Sequence, residues 1–203
     1  DNFPKSMINY HELFVGGGSV LLMLLELHKT NLINITGKVY AYDGNLPLIH
    51  VYKNIQENRH DLCKCVQKLC ESLNSRKDIK RAKTEKEIQI DTKEHLYYEI
   101  RNVYNKMSDD EKCSVKGSAY FIFLNKTCFR GLFRLGPNGF NVPYGNYKNP
   151  EILNIEHVDK VHDLIKDVKF ECIDFRTSIR NVKSGDFVYL DPPYVPESKT
   201  SFT

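Results

Sequence analysis

Apolar and polar positions at the start of the chain follow two periods in turn. Tyr10 to Val15 has the alternation of a β-strand and ends in Gly16-Gly17-Gly18, after which Ser19 to Leu27 is strongly helical. A second β-type run, Lys38 to Tyr42, precedes a stretch with apolar residues at helical spacing, Leu46 to Ile55. The pattern predicts the order β-α-β-α, which opens a parallel sheet covered by helices.

The middle of the chain is helical in pattern from Asp61 to Met107, with one interruption. The interruption is a charged stretch, Ser75 to Lys86, which we interpret as a solvated loop or helix face, with direct contact to phosphates as the alternative. A further helix, Ser118 to Leu124, leads into a segment rich in Gly, Pro, Asn and aromatic residues, Thr127 to Pro150. Loops of this length in compact domains are usually functional or disordered, and the aromatic content argues against disorder.

The last third returns to the sheet pattern. After a helix from Ile155 to Ile165, two β-type runs follow, Lys169 to Ile173 and Asp186 to Leu190. The sequence therefore predicts about four strands, which is fewer than the five or six of a typical sheet, so we expect an incomplete sheet. No internal repeat or low-complexity tract interrupts this order.

Composition excludes several classes of protein. With 203 residues, 41% of them hydrophobic and 27% charged, the chain falls in the ordinary globular range and suits one α/β domain, or such a domain with an insertion. Its longest apolar run, Ser19 to Leu25, is far shorter than the roughly 20 residues that span a bilayer, so we expect no membrane partner. The formal net charge of +3 permits a polyanionic partner without requiring one.

The cysteines show no CxxC pair and no Cys/His cluster, so we expect neither a zinc site nor a disulfide framework. We interpret them as reduced, mostly core thiols of an intracellular protein that is not secreted. No charged-then-apolar leader opens the chain, and Asp1 is an improbable native start, so we expect an initiating segment to be missing. The six positions are Cys63, Cys65, Cys70, Cys113, Cys128 and Cys172.

The glycine turn and Asp43 are expected to share one edge of the sheet. Glycines between a buried strand and a helix let the backbone turn sharply and approach a ligand closely. The third glycine of a dinucleotide fingerprint is absent, because Leu21 stands there, which disfavours a nicotinamide enzyme. Asp43 at the end of the second strand can accept hydrogen bonds from ribose hydroxyls. A purely structural turn, and a helix N-cap for Asp43, are the alternatives.

A third strand end carries Asp191-Pro192-Pro193-Tyr194. Two prolines in series fix φ and remove two backbone donors, so the chain is held extended with its carbonyls facing outward. The Asp191 carboxylate and a proline carbonyl can each accept one N–H of an exocyclic amine, which leaves the nitrogen lone pair for an electrophile. Tyr194 offers a flat face for a planar base. A prolyl turn without chemistry is the alternative.

The segment from Lys126 to Lys148 mixes cations with aromatic rings, a combination that DNA contact favours. An arginine can bond both major-groove acceptors of guanine. A structural aromatic loop is the alternative. The residues concerned are Lys126, Arg130, Arg134, Lys148, Phe129, Phe133, Phe140, Tyr144 and Tyr147.

Taken together and in this order, the motifs resemble the Dam-type DNA adenine methyltransferases (D12 class, alpha group). D-P-P-Y alone recurs in other amino-methyltransferases, whereas its combination with F-N-V-P-Y-G in the middle of the chain is highly specific. The resemblance extends from Tyr10 to Phe202 and rests on Phe14 to Val20, Tyr42 to Asn45, Asn141 to Gly145 and Asp191 to Tyr194.

The resemblance implies an α/β fold of the class I methyltransferase type. In that fold a Rossmann-like parallel sheet has helices on both faces and carries a helical and loop target-recognition insertion. We expect residues 1–60 and 166–203 to form the catalytic domain and residues 61–165 the insertion. The family also has a lysine-containing motif upstream of Tyr10 and further strands after Tyr194, so we expect this sequence to be a fragment or to lack its ends.

The resemblance also implies S-adenosylmethionine as cofactor and S-adenosylhomocysteine as product. The glycine motif falls on Phe14, Gly16 and Gly18; Glu12 precedes Leu13, which replaces a family proline; and Asp43 matches the ribose-binding acid. Asp174 and Phe175 match the pair that borders the cofactor's adenine. The implied cofactor-binding residues are Glu12, Phe14, Val15, Gly16, Gly18, Ser19, Asp43, Asp174, Phe175 and Asp191.

For the partner, the resemblance implies double-stranded DNA, with Phe129 near the target base and Arg134 reading a guanine. Arg130 stands where Dam-like relatives often carry Asn, so the recognised sequence need not be theirs. The implied DNA-binding residues are Lys126, Phe129, Arg130, Leu132, Arg134, Asn141, Pro143, Tyr144, Tyr147 and Lys148.

The hypothesis is methylation of the N6 amine of an adenine extruded from the duplex, without a metal. Asp191, Pro192, Pro193 and Tyr194 are the expected catalytic residues. Three alternatives stay open: an amino-methyltransferase acting on RNA or protein, a non-catalytic DNA-binding relative, and a nicotinamide-binding Rossmann protein.

Overall fold

The computed structural model describes residues 3–76 and 92–192. Its strands are β1 (Ser6–Met7), β2 (Tyr10–Glu12), β3 (Asn34–Ile35), β4 (Val39–Asp43), β5 (Leu135–Gly136), β6 (Gly139–Phe140), β7 (Lys169–Cys172) and β8 (Phe187–Tyr189). Its α-helices are α1 (Ser19–Lys29), α2 (Leu46–Asn74), α3 (Lys93–Lys106), α4 (Asp109–Cys113), α5 (Val115–Thr127), α6 (Ile155–Ile165) and α7 (Phe175–Ser178).

A four-stranded sheet with the order β7-β4-β2-β8 organises the fold, and every pairing in it is parallel. Strand β2 lies between β4 and β8, with Glu12 opposite both Ala41 and Tyr189. All three residues of β2 are buried, as expected for a strand with neighbours on both sides and helices over the sheet. The predicted α/β class and the four predicted strands are confirmed for the described part of the chain.

Element bounds differ from the sequence prediction at several ends. Strand β2 ends at Glu12 rather than Val15, because the chain already bends toward Gly16, which has a φ of 46°. The helix predicted over Leu46 to Ile55 continues to Asn74, with one non-helical residue at Asn58. Two short strands, β1 and β3, form a separate parallel pair that the sequence did not predict, because two residues are too few to show a period.

Two compact units divide the chain. The first comprises residues 1–49 and 163–203 and contains the whole four-stranded sheet. The second comprises residues 50–162 and contains α3, α4, α5 and the β5-β6 hairpin. The predicted boundary after residue 60 lies eleven positions beyond the first of these divisions, inside α2, and the one after residue 165 lies three positions beyond the second, just after α6.

Within residues 3–76 and 92–192, no helix is both long and apolar enough to cross a membrane. The same residues include no group of three or more His, Cys, Asp or Glu side chains placed to hold a metal ion. The six cysteines all lie within the described residues and form no disulfide, but only Cys63 and Cys128 are buried, so the prediction of mostly core thiols is wrong for the other four, which are half-buried. Of the charged stretch Ser75 to Lys86, the part from residue 77 onward lies outside the described residues.

Strand β8 is attached to β2 through the buried carboxylate of Asp186. This side chain accepts hydrogen bonds from the Asn9 backbone N–H at 3.1 Å, the Asn9 amide at 2.7 Å and the Lys183 N–H at 2.9 Å. It also lies 3.1 Å from His11 Nε2, with both side chains 1% exposed. Burial by itself raises the pKa of Asp186, but these hydrogen bonds outweigh burial and hold the pKa below its ordinary value.

We predict that Asp186→Ala destabilises the protein by about 1–3 kcal/mol at neutral pH, because it leaves the buried His11 and the half-buried Asn9 without this acceptor. Because the pKa of Asp186 is lower in the folded state than its ordinary value, Asp186 contributes to the free energy of unfolding at neutral pH. This contribution is lost as the pH falls through the folded-state pKa. Urea unfolding of wild type and variant between pH 3 and pH 7 measures both effects. The exposed Asp167→Ala serves as control; equal stability of wild type and Asp186→Ala at pH 7 would contradict the assignment.

Candidate functional site

A cavity of about 570 Å³ opens at the carboxyl ends of β2, β4 and β8. Parallel strands place the residues that follow them at one edge of a sheet, where open α/β folds bind ligands. The cavity joins the glycine turn, Asp43 and the Asp191 corner, which were predicted separately from distant parts of the sequence. Its lining comprises Glu12, Phe14, Val15, Gly16, Gly17, Gly18, Ser19, Val20, Asp43, Gly44, Tyr189 and Asp191.

The glycine turn forms one wall of this cavity. Gly16 and Gly18 have φ angles of 46° and 71°, the left-handed region that glycine adopts without strain. No atom lies within 4 Å of a Cβ built on Gly16 or Gly17, so open space faces the turn. Gly18 is the N-cap of α1 and has no side chain to cap the helix. Because Gly18, Ser19 and Val20 line the cavity, the amino end of α1 forms part of its wall.

Asp43 supports the glycine turn from the neighbouring strand. Its carboxylate accepts hydrogen bonds from the backbone N–H of Gly16 at 3.0 Å and of Asn45 at 2.9 Å. The alternative role of Asp43 as N-cap of α2 is wrong, because the Asn45 side chain accepts from the Leu48 N–H and fills that position. Each carboxylate oxygen has a further lone pair, so Asp43 can also accept from a bound ligand.

Glu12 is the buried acid of the cavity, with 2% of its surface exposed. The Tyr10 hydroxyl donates to it at 2.6 Å. Burial raises the pKa of Glu12 to about 7; the Tyr10 bond lowers it, and the Asp191 carboxylate raises it further. Burial and the adjacent Glu12 raise the pKa of Tyr10 well above its ordinary value, so the phenol keeps its proton and remains a donor.

Asp191 follows β8, is exposed and lines the cavity, and Pro192 after it is exposed as well. Pro193 and Tyr194 lie outside the described residues. The Tyr189 carbonyl accepts from the Leu13 N–H at 3.2 Å, which continues the β2-β8 pairing beyond the strands. The acidic corner is therefore held beside the glycine turn by the sheet.

Asp174 and Phe175 are not part of the cavity lining. Asp174 caps α7, accepting from the Arg176 N–H at 2.8 Å, and makes a two-pronged ion pair with the Arg176 guanidinium at 2.9 Å. The hydrogen bonds from Arg176 lower the pKa of Asp174 to about 2. The Phe175 ring, 42% exposed, contacts the Phe14 ring at 5.3 Å, which places it beside a cavity residue.

The charge of the lining is one-sided. Among the described residues, the lining includes three carboxylates, Glu12, Asp43 and Asp191, and no lysine, arginine or histidine. A low-dielectric cavity lined by one sign of charge attracts ligands of the opposite sign. This cavity therefore suits a cationic ligand with hydroxyl groups better than an anionic one.

The aromatic-basic segment is a surface of the second unit. Its two halves are joined by bonds from Phe129 N–H to Pro143 O at 2.9 Å and from Gly145 N–H to Thr127 O at 2.8 Å. The Tyr147 hydroxyl accepts from the Arg130 N–H at 2.8 Å. Most of the sequence-predicted DNA-binding residues are exposed here, namely Lys126, Phe129, Arg130, Arg134, Asn141, Pro143, Tyr147 and Lys148; Leu132 and Tyr144 are half-buried.

Not every aromatic residue of this segment faces solvent. Phe140 is only 3% exposed, and its ring contacts that of Phe133, which contacts Phe121 in turn. The prediction that the rings form one DNA-contacting mixture is therefore wrong for Phe140, which belongs to the interior.

Arg130 adopts a left-handed conformation with a φ of 57° and a ψ of 18°. Among non-glycine residues asparagine tolerates this region best. Arg130 therefore adopts a conformation that is strained for its residue type, and its guanidinium carbon lies 5.1 Å from the centroid of the Phe129 ring.

Arg134 is exposed and held by Asn141. Its Nε donates to Asn141 Oδ1 at 2.7 Å and its Nη2 to the Asn141 carbonyl at 3.4 Å. Sequence reasoning missed the residues that support this region from α3, namely Tyr97, Arg101 and Asn105. Their spacing of four residues along one helix face is the signal that could have revealed them.

The parallel sheet, the glycine turn that follows its central strand and the helices around it define a Rossmann-like α/β fold of the class I methyltransferase type. A family model described as D12 class N6 adenine-specific DNA methyltransferase matches residues 1–203. The chain belongs to this family.

Curated relatives support the same assignment. The chain is 39% identical over 208 residues to the type II methyltransferase M.MjaIII of Methanocaldococcus jannaschii, covering 99% of this chain and 65% of that protein. It is 28% identical over 201 residues to the type II methyltransferase M1.LlaDCHI of Lactococcus lactis subsp. cremoris, covering 98% and 61%. It is 30% identical over 190 residues to the DNA N-6-adenine-methyltransferase of Escherichia phage P1, covering 93% and 21%. The chain thus spans less than two thirds of the length of these relatives.

We predict that Glu12→Gln stabilises the protein without added ligand by about 3 kcal/mol at pH 9 and changes nothing at pH 4. The pKa of Glu12 in the folded state is about 7, above the ordinary value of 4.5. The contribution of protonated Glu12 to the free energy of unfolding is therefore fully present below pH 4.5 and is lost as the pH rises through the folded-state pKa. Thermal or urea unfolding across this range measures the difference. The exposed Glu26→Gln on α1 is the control; parallel pH profiles of wild type and Glu12→Gln would refute the burial effect.

Proposed function

We propose that this chain carries the cofactor and target sites of an S-adenosylmethionine-dependent, site-specific DNA methyltransferase that acts on the N6 amine of adenine. The observation that carries the proposal is the single cavity joining the glycine turn, Asp43 and Asp191. The first unit then binds the cofactor and performs the transfer, and the second unit recognises DNA. A protein with this substrate works in a compartment that contains DNA.

The residues of the cavity fit S-adenosylmethionine, which supplies a methyl group on a positively charged sulfur. Its sulfonium and ammonium charges match a lining whose charged side chains, within the part of the chain that the structure describes, are three carboxylates. Asp43 has lone pairs for ribose hydroxyls, and the glycine turn leaves room for close approach. The same lining disfavours the anionic diphosphate of a nicotinamide dinucleotide.

In this proposal, Asp191 and Pro192 hold the target amine. The Asp191 carboxylate accepts one amine N–H, and a prolyl carbonyl accepts the other, so that the nitrogen lone pair is directed away from both. Asp191 also stabilises the positive charge that develops on the nitrogen. Most of the remaining acceleration comes from orientation in the cavity. Pro193 and Tyr194 complete this proposed grip on the basis of sequence alone.

Access to the amine requires extrusion of the adenine from the duplex, which costs a few kcal/mol. Contacts elsewhere must offset that cost. On the exposed face of the second unit, the Phe129 ring, 42% exposed, takes the place of the extruded adenine in the base stack. Exposed cations such as Lys126 and Lys148 contact the DNA phosphates. Arg134 is the proposed guanine reader, with Leu132 and Arg130 beside it.

The proposal predicts that Asp191→Asn lowers methyl transfer to duplex DNA about 100-fold or more, while the affinity for S-adenosylmethionine stays within a few-fold of wild type. Transfer of a labelled methyl group to duplex DNA, RNA and protein substrates is measured in parallel, together with calorimetric cofactor binding. Asp167→Ala, outside the cavity, is the matched control. Wild-type transfer to RNA or protein in place of DNA, or near-normal turnover of Asp191→Asn, would overturn the proposal.

For target recognition, Arg134→Ala is expected to relax sequence preference at one guanine position, by about fivefold to 100-fold. Sequencing of methylated DNA from cells that express the wild type first identifies the preferred site. Rates on that site and on its single-substitution variants then give the discrimination. Lys148→Ala serves as comparison, since a phosphate contact should weaken binding to all sequences alike. Unchanged discrimination in Arg134→Ala would count against its proposed role.

A further inference from the structure

The β5-β6 hairpin that follows Arg134 is too small to hold its own shape. Each strand has two residues, with Leu135 opposite Phe140 and Gly136 opposite Gly139. Leu135 is 63% exposed. Isolated two-stranded hairpins are marginally stable even when longer, so the geometry of this one must be fixed from outside.

Helix α3 supplies that support through Asn105. The Asn105 side chain accepts from the Phe140 N–H at 2.9 Å and donates to the Phe140 carbonyl at 2.9 Å. It thereby binds both backbone groups of one β6 residue, as a neighbouring strand would. One turn and two turns earlier on α3, Arg101 and Tyr97 donate to the Val142 carbonyl at 2.9 Å and 2.7 Å.

The glycine at the start of β6 is adapted to this contact. Gly139 has a φ of 93°, and a Cβ built on it would lie 2.7 Å from Asn105 Oδ1. Only glycine combines this backbone conformation with room for the amide of Asn105. Two independent features, the paired hydrogen bonds and the glycine, thus point to a specific junction between α3 and β6.

The junction lies one residue from the Arg134 contact. Asn141, next to Phe140, donates its N–H to the Arg134 carbonyl at 3.1 Å and accepts from Arg134 Nε with its side chain. Fixing the backbone of Phe140 therefore fixes Asn141, and Asn141 fixes the direction of the Arg134 guanidinium. Bidentate recognition of a base edge tolerates little angular freedom.

We propose that Asn105 is a positioning residue for sequence specificity, which acts on the DNA target through the β5-β6 hairpin and Arg134. This inference rests on the proposed function. Asn105 itself touches neither DNA nor cofactor in this assignment. The buried Phe140 ring keeps the hairpin attached to the second unit when Asn105 is replaced. We therefore expect the replacement to disturb the direction of the Arg134 guanidinium and not the folding of the protein.

The test compares Asn105→Ala with Asn102→Ala, an exposed asparagine on the same helix. We expect Asn105→Ala to lower discrimination at the guanine position assigned to Arg134 by about fivefold or more, with cofactor affinity unchanged. In the Asn105→Ala/Arg134→Ala double variant, discrimination should equal that of Arg134→Ala alone. A general structural defect would instead slow methylation of all sites alike, so it would leave discrimination unchanged in Asn105→Ala and would lower only the overall rate of the double variant.

Amide hydrogen exchange at Phe140 provides a second readout that needs no DNA. Exchange should accelerate in Asn105→Ala and stay protected in Asn105→Asp, which retains an acceptor for this N–H. Asn105→Asp places a carboxylate oxygen against the Phe140 carbonyl, so it should still lose discrimination. This variant decides the question if Asn105→Ala fails to fold.

Failure of this inference can be separated from failure of the proposed function. If wild type shows no sequence preference, or Arg134→Ala keeps full discrimination, the proposed role of Arg134 is wrong and the inference fails with it. If Arg134→Ala loses discrimination while both Asn105 variants keep it, only the inference is overturned. If the losses of discrimination in Asn105→Ala and Arg134→Ala add up in the double variant, Asn105 does not act through Arg134 and the inference is also overturned.

Discussion

The parallel pairing of β2 with a neighbour on each side is the constraint on which the site depends. Because β4, β2 and β8 run in the same direction, the residues that follow them meet at one edge of the sheet. The glycine turn, Asp43 and Asp191 are thereby gathered into one cavity from opposite ends of the chain. Asp186 secures this arrangement, since it attaches the start of β8 to residues that flank and form β2.

The cavity gathers acids at an electrostatic cost. Glu12 is buried, and burial together with the Asp191 carboxylate raises its pKa, because both disfavour its ionised form. The Tyr10 hydroxyl offsets part of this cost, as do the backbone donors that Asp43 accepts from. In the proposed function, the cationic cofactor relieves this repulsion when it binds, so the acids lower the stability of the protein but raise its affinity for the cofactor.

In the second unit, one short segment contains both residues that pack in the interior and residues that stay on the surface. Phe140 and the carbonyl of Val142 are engaged by the interior and by α3, while Phe129, Arg134 and Tyr147 remain on the surface. Aromatic residues close together in sequence therefore have different roles, since Phe140 holds the segment to the interior whereas Phe129 and Tyr147 are exposed. A rigid scaffold behind an exposed face limits the freedom that recognition residues would otherwise lose on binding.

The sequence alone determined the α/β class, the four strands and the motifs at their ends, because strand and helix periods and glycine-proline punctuation are local properties. It also indicated the chemistry of the Asp191 corner and the family. Only the tertiary structure decided that Asn45 rather than Asp43 caps α2, that Asp174 binds Arg176 and that Phe140 is interior. It likewise revealed Asn105 behind Phe140 and the shifted pKa of Glu12. These features depend on which residues distant in sequence become neighbours and on how much water they lose, and neither quantity is encoded in a local pattern.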